Sequence, residues 1–299
     1  MPVFPITFSI HESKIINEIP IKSKIISSII PNDTCTYTYN TEEEYYNEYK
    51  SSLFAITMKK AGWDCMRHYE IIANGCIPYF IDIENCPENT LALFPKDLII
   101  KGNNLYEKYK NKKNINDLTI IEYNECLDLI NKLLSYLRNN LTNKKLANYV
   151  LEKSNATDSK NVLFLSARTD TDYLRCLLLT GFKEIFGTKC HDYPRIEHIY
   201  KNENNYTNLY GRGFSYSKII DKNERNNDLD ITIINDIYKH KYDLIIFGAC
   251  HRGLPFDDKI IEYILFNYPQ DKLILLCGED IHDCDHKHLN KYNIFIREL

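Results

Sequence analysis

Short apolar runs alternate with longer segments of helical periodicity along this chain. In the first half, Lys24–Ile30, Leu53–Met58 and Ile77–Ile81 have the apolar composition that is typical of buried strands. Asp64 and Gly75 bound the segment between the last two runs, and they predict a helix with its N-cap at Asp64 and a left-handed terminator at Gly75. Strand, helix and strand in this order predict a right-handed βαβ unit.

The second half repeats this alternation. Strands are predicted over Asn161–Ser166, Tyr242–Gly248 and Lys272–Cys277, and helices over Asp172–Phe186 and Lys259–Tyr268. Apolar strands separated by helices indicate parallel sheets that are covered on both faces.

A polar boundary separates these two similar halves. Residues 151–160 contain few bulky apolar side chains and precede a strong strand signal. We therefore predict the fold class α/β, with two Rossmann-like domains over residues 1–152 and 153–299 that face an interdomain cleft. Ligands of such sheets bind outside the carboxyl ends of the strands.

Charge and hydropathy exclude some classes of protein. The formal net charge is −4, which argues against a protein built to hold nucleic acid. No apolar run approaches the ~18–20 residues that span a bilayer, and the first residues lack the pattern of a signal peptide. We therefore expect a cytoplasmic protein without a membrane span or a nucleic-acid partner. The sequence leaves the oligomeric state open.

The predicted helix after Asp64 carries the most informative pair of charged residues. Arg67 and Glu70 are three positions apart, so they share one face near the start of the helix. A cation at this place can bind a diphosphate, because the free N–H groups of a helix start already favour an anion. A carboxylate one turn further along can accept hydrogen bonds from ribose hydroxyls. A surface ion pair between the two side chains is the alternative.

The segment RHYEIIANGCIPYF resembles the R-x-x-E-x-x-A-x-G-x-x-P stretch in the C-terminal domain of GT-B glycosyltransferases, including exostosin-like and spore-maturation types. The resemblance extends over residues 40–98. It implies a nucleotide-sugar site in which Glu70 binds the ribose and Arg67 binds phosphate. It also implies Lys60 as a second phosphate ligand, Gly75 as part of the site, and no requirement for a cofactor or metal beyond the donor substrate.

The order of the halves departs from that family, in which the nucleotide-sugar domain normally comes second. The two ends of the chain, Phe4–Ile10 and Asn293–Leu299, both have the composition of strands. We interpret them as strands that could be consecutive in a circularly permuted arrangement of the same fold, which nearby surface termini would make sterically acceptable.

Three parts of the second half contain candidate catalytic or ligand-binding residues. His251 and Asp172 follow predicted strands, and either could remove the proton of an acceptor hydroxyl in an inverting transfer. Asp172 is equally suited to cap its helix. Arg212 lies between two glycines, where it could contact phosphate or sugar or belong to a plain tight turn. Residues 278–288 are rich in acidic residues and histidine but lack the spacing of a zinc site. Their carboxylates could hold a divalent cation near a sugar diphosphate, and we prefer a polar loop without a metal.

These features predict a glycosyltransferase that moves a sugar from a nucleotide-diphosphate donor to the hydroxyl of a glycan or protein acceptor. Two alternatives remain open. One is a non-catalytic nucleotide- or sugar-binding protein, and the other is a structural or interaction protein on the same scaffold. The sequence does not decide between inversion and retention.

Overall fold

Two parallel β-sheets organise the part of the chain that the computed structural model describes, which is residues 3–204, 206, 208–253, 255–281 and 291–299. One sheet has three strands and the other has six, and each pair of neighbouring strands is parallel. The prediction of an α/β fold with parallel sheets is therefore confirmed.

The three-stranded sheet has the order β2-β3-β4, with β2 over Lys24–Ile26, β3 over Ser52–Met58 and β4 over Ile77–Ile81. Helix α2, Met66–Ala73, connects β3 to β4 and completes the predicted βαβ unit. Gly75 has the left-handed φ of 66° that was predicted for the terminator of this helix.

The six-stranded sheet has the order β1-β9-β8-β7-β5-β6. Its strands are β1 (Val3–Pro5), β5 (Val162–Leu165), β6 (Cys190–Tyr193), β7 (Leu244–Phe247), β8 (Leu273–Cys277) and β9 (Asn293–Ile296). The first strand of the chain therefore joins the sheet of the second half, although the predicted boundary at residue 152 groups it with the first half.

Both predicted end strands are shorter in the structure. The first strand is Val3–Pro5 rather than Phe4–Ile10. The Ile6 amide still donates to the Ile296 carbonyl, but the backbone leaves the sheet beyond it, and Ile10 forms only an isolated bridge to Thr142. The last strand ends at Ile296. The two strands are parallel neighbours, with Val3 opposite Ile294.

Helices cover the sheets and bury a shared apolar core. They are α1 (Glu42–Lys50), α3 (Lys96–Tyr109), α4 (Ile120–Asn140), α5 (Asn143–Lys153), α6 (Tyr173–Phe186), α7 (Leu229–Tyr238) and α8 (Asp258–Asn267), in addition to α2. The largest buried cluster contains side chains from both sheets, such as Phe54 and Phe164, together with Leu133 of α4 and Leu177 of α6. The sheets therefore share one continuous core.

Local sequence signals explain where several helices begin. Thr41 and Glu44 form a reciprocal capping box at the start of α1, as the run of carboxylates after Thr41 suggests. Asp172 caps α6 by accepting a hydrogen bond from the Arg175 amide. The prediction that Asp64 caps α2 is wrong: Cys65 occupies that position, because the Asp64 carboxylate is bound to other groups described below.

None of the described helices is both long enough and apolar enough to cross a membrane.

Candidate functional site

A cavity of about 660 Å³ opens between the carboxyl ends of the two sheets. The residues that follow β3, β7, β8 and β9 line it, together with the first residues of α2 and α6. Residues from the two sheets therefore face each other across one space. Parallel α/β sheets bind ligands at this edge, because the strands all end there and the connecting segments diverge.

Two cations stand on the side of the three-stranded sheet. Arg67 at the start of α2 and Lys60 in the loop after β3 both line the cavity. The Arg67 guanidinium lies 5.3 Å from the centroid of the Tyr37 ring, and its Nη2 donates to the Tyr37 hydroxyl at 3.0 Å. Its Nε is buried without a hydrogen-bond partner. The Lys60 Nζ lies 5.8 Å from the same ring centroid.

The start of α2 adds backbone donors to this cationic wall. Cys65 is the N-cap, and its side chain makes no capping hydrogen bond. The first amides of a helix have no intrahelical acceptor, and the helix dipole places partial positive charge at the same point. An anion in the cavity would therefore meet Arg67, Lys60 and the start of α2 together.

Glu70 is one turn further along α2 and also lines the cavity. It is 6% exposed, and its carboxylate accepts hydrogen bonds from the Tyr45 hydroxyl at 2.9 Å and from the Ser215 hydroxyl. Burial raises the pKa of Glu70 above its ordinary value, although these two donors oppose the effect. In the described part of the chain, Arg67 and Glu70 form no ion pair with each other, so the alternative of a surface pair is not what the structure shows.

The loop of residues 209–217 belongs to the second half of the chain and contacts the first half. Arg212 donates through Nη1 to the Tyr39 carbonyl at 2.8 Å and to the Asn40 side chain at 3.0 Å. Gly211 and Arg212 both have a φ of 57°, which places consecutive residues in the left-handed region and turns the loop sharply. Phe214 lies against Tyr45, at 5.8 Å between ring centroids. Arg212 thus lines the cavity from a turn that is docked on the first half.

Asp172 lines the opposite wall, where its carboxylate has three partners. Oδ1 caps α6, while Oδ2 lies 3.1 Å from the Arg252 Nε and 3.4 Å from the His251 Nε2. Burial by itself raises the pKa of Asp172, but His251 and Arg175 outweigh it, and the pKa is below its ordinary value. A carboxylate in this state binds a proton weakly, so its evident role is to hold its three partners.

The structure separates the other predicted site residues from the cavity. His251 is beside Asp172 but does not line the cavity, and its Nδ1 is buried without a partner. Gly75 lies at the far end of α2, where a Cβ would meet the Ile16 side chain at 2.6 Å. Its position supports close packing and the helix terminus rather than contact with a ligand in this cavity.

Asp64 is a site residue that local sequence reasoning misread as a helix cap. Its Oδ2 accepts from the Phe8 amide at 2.6 Å, and its Oδ1 accepts from the Tyr69 hydroxyl at 2.9 Å. Its backbone is bound as well: the carbonyl accepts from Arg297 and the amide donates to Glu298, at 2.6 and 3.0 Å. Burial raises the pKa of Asp64 to about 7, with Arg297 opposing. The loop before α2 is therefore fastened to the end of the six-stranded sheet.

Tyr37 was also missed. It belongs to the irregular segment between β2 and α1, where no periodicity marks it, and only the fold brings it to Arg67 and Lys60.

The residues predicted to form a polar, metal-free loop lie partly outside the described residues, since 282–290 are not among them. Elsewhere in the described chain, no group of three or more histidine, cysteine, aspartate or glutamate side chains is arranged to hold a metal ion.

Comparisons with protein families, with curated proteins and with solved structures find no match to this chain.

Proposed function

We propose that this chain is a glycosyltransferase with a GT-B-like pair of Rossmann-like units, and that its cleft binds a nucleotide-diphosphate sugar. The observation that carries the proposal is the convergence of Lys60, Arg67 and Glu70 on one cavity at the carboxyl ends of two parallel sheets. The sequence resemblance selects these three residues, and their common position in the fold is an independent reason to group them.

The charge distribution of the cavity supports an anionic ligand. Arg252 and Arg297 are neutralised by carboxylates, through Asp172 and Asp280 respectively. Lys60, Arg67 and Arg212 form no ion pair with a carboxylate in the described chain. A diphosphate would supply the missing negative charge, with the α2 amides as additional donors.

The same groups would assist the transfer. When the bond between the anomeric carbon and the diphosphate breaks, negative charge develops on the leaving phosphate oxygen. Arg67, Lys60 and the α2 amides are held in place before the reaction, so they stabilise this charge without reorganising. Glu70 retains unused lone pairs beside its bonds to Tyr45 and Ser215, and these can accept hydrogen bonds from ribose hydroxyls.

One observation favours a non-catalytic nucleotide-sugar-binding protein as the second candidate. An inverting transfer uses a proton acceptor at the acceptor hydroxyl. Asp172 already contacts the Arg175 amide, Arg252 and His251, and His251 does not line the cavity. A retaining transfer, or binding alone, makes no use of such a base.

We expect the purified protein to release nucleoside diphosphate from one of a panel of UDP- and GDP-sugars, and Glu70→Ala to reduce this rate roughly tenfold. The reason is the loss of a charged hydrogen-bond acceptor for the ribose. The matched control is Glu152→Ala, which removes an exposed carboxylate on α5 and should leave the rate unchanged.

Donor binding by the wild type without any release of nucleoside diphosphate would favour the non-catalytic candidate. Equal rates for the wild type and Glu70→Ala would show that Glu70 takes no part in binding the donor.

A further inference from the structure

The Tyr37 hydroxyl oxygen is the acceptor in both of its hydrogen bonds. The Asn32 amide donates to this oxygen at 3.1 Å, and Arg67 Nη2 donates to it at 3.0 Å. A phenol oxygen can accept two hydrogen bonds and donate one. Within the described chain, no group accepts the Tyr37 proton, so its donor capacity is left for a ligand.

The position of the ring directs that capacity towards the cavity. Tyr37 lines the cavity and is half-buried, with Arg67 and Lys60 on its ring at 5.3 and 5.8 Å from the centroid. These two side chains, from α2 and from the loop after β3, are the charged groups that face it. Both are cationic, so the group that Tyr37 would meet in this part of the cavity is an anion.

The electrostatic state of the phenol agrees with this geometry. Burial by itself raises the pKa of Tyr37, but Arg67, the Asn32 amide and Lys60 together bring the pKa below its ordinary value. A more acidic phenol is a stronger hydrogen-bond donor to an anionic oxygen.

We propose that the Tyr37 hydroxyl donates a hydrogen bond to a phosphate oxygen of the ligand, so that Tyr37, Arg67 and Lys60 form one diphosphate-binding site. This inference deepens the proposed function and rests on it only for the nucleotide and the sugar. The diphosphate site itself follows from the three side chains. The bound diphosphate brings negative charge close to the phenol, so binding raises the pKa of Tyr37. Ionisation of Tyr37 in turn weakens binding, because a phenolate has no proton to donate and repels the anion.

The test uses the full chain and inorganic pyrophosphate as the probe, with calorimetric titration at neutral pH and at several alkaline pH values. Tyr37→Phe should bind pyrophosphate roughly tenfold more weakly than the wild type at neutral pH. The difference should shrink as pH rises, because the wild type loses the same proton. The control Tyr79→Phe removes a hydroxyl that bonds to Glu107, away from the cavity, and should behave as the wild type.

The near-ultraviolet absorbance of tyrosinate gives a second reading that does not depend on activity. Tyr37→Phe should remove an early-titrating tyrosine from the wild-type curve, and pyrophosphate should shift that titration to higher pH. Equal pyrophosphate affinity for Tyr37→Phe and the wild type, with parallel pH dependence, overturns the proposal. A folded wild type that binds no pyrophosphate overturns it as well.

The same titrations with nucleotide sugars separate this inference from the proposed function. Pyrophosphate binding that depends on Tyr37, without binding of any nucleotide sugar, supports the diphosphate site and contradicts the proposed function. Nucleotide-sugar binding that is indifferent to Tyr37→Phe supports the proposed function and overturns the role of Tyr37.

Discussion

Replacing Arg67 by Met is expected to weaken the binding of nucleotide diphosphates roughly 30- to 150-fold, which corresponds to about 2–3 kcal/mol for a lost charged hydrogen bond. Arg67 is the cation at the start of α2, and it carries no carboxylate partner in the described chain. Met retains much of the apolar stem and removes only the guanidinium, so the fold should persist. Calorimetric titration with UDP and GDP measures the effect, with circular dichroism to verify folding.

Two variants make this result specific to the site. Arg67→Lys keeps the charge but loses the planar fork that reaches both Tyr37 and a phosphate, so an intermediate affinity is expected. Lys101→Met removes an exposed charge on α3. It should leave the affinity for UDP and GDP nearly unchanged, because it weakens only the long-range attraction of the anion. If Lys101→Met weakens binding as much as Arg67→Met does, net charge rather than the site explains the affinity.

Asp64→Asn is expected to make the protein more stable than the wild type at pH 8, by up to about 4 kcal/mol, and to leave its stability near that of the wild type at pH 4. The pKa of Asp64 is about 7 in the folded chain and has an ordinary value of 3.8. As pH rises from 4 to 7, the unfolded chain releases this proton first, so the wild type loses stability across that range and the loss levels off above it. Asn stays neutral and can still accept from the Phe8 amide.

Urea unfolding of both proteins at several pH values between 4 and 8 checks this expectation. The informative quantity is the difference in the free energy of unfolding, because other titrating groups cancel between the two. Asp128→Asn, an exposed position on α4, should follow the wild type at every pH. A variant that is destabilised equally at all pH values would contradict this expectation. It would show that the fold needs Asp64 as a hydrogen-bonding carboxylate and that ionisation of Asp64 does not lower the free energy of unfolding.

The parts of the fold that depend on neighbours in the chain were predictable. The unit β3-α2-β4 is a local pattern of strand, helix, left-handed glycine and strand, and the structure reproduces it. The capping of α6 by Asp172 is equally local. Helix α3 and strand β6 were not predicted. Gly102 and two asparagines interrupt the apolar pattern of Lys96–Tyr109, and Cys190–Tyr193 lacks the aliphatic side chains that are typical of a buried strand.

The parts that depend on distant pairing were not predictable in the same way. The assignment of β1 to the six-stranded sheet rests on its pairing with β9 at the other end of the chain. Asp64 has the residue type of a helix cap, but Phe8, Arg297 and Glu298 reach it from distant parts of the chain. A sequence shows the residue type at such a position and not the groups that fold onto it.

The same distinction between local patterns and distant contacts applies to the residues of the candidate site. Arg67, Glu70 and Lys60 came from a local motif, and the fold brings all three to the cavity. Tyr37 lies in a segment without regular periodicity. Nothing in its local sequence distinguished it from the rest of the 23 tyrosines in the chain. His251 was selected because it follows a strand, and that rule places a residue at the correct edge of the sheet without showing where its side chain lies.

The proposal that this cavity binds a nucleotide-diphosphate sugar is tested most directly by calorimetric titration of the unaltered protein with UDP- and GDP-sugars, compared with the corresponding nucleosides. We expect one diphosphate series to bind, and its nucleoside to bind far more weakly, because Lys60, Arg67 and the start of α2 recognise the diphosphate. No binding by any of these ligands to the folded protein, or equal binding of the nucleoside and its diphosphate sugar, would contradict the proposal.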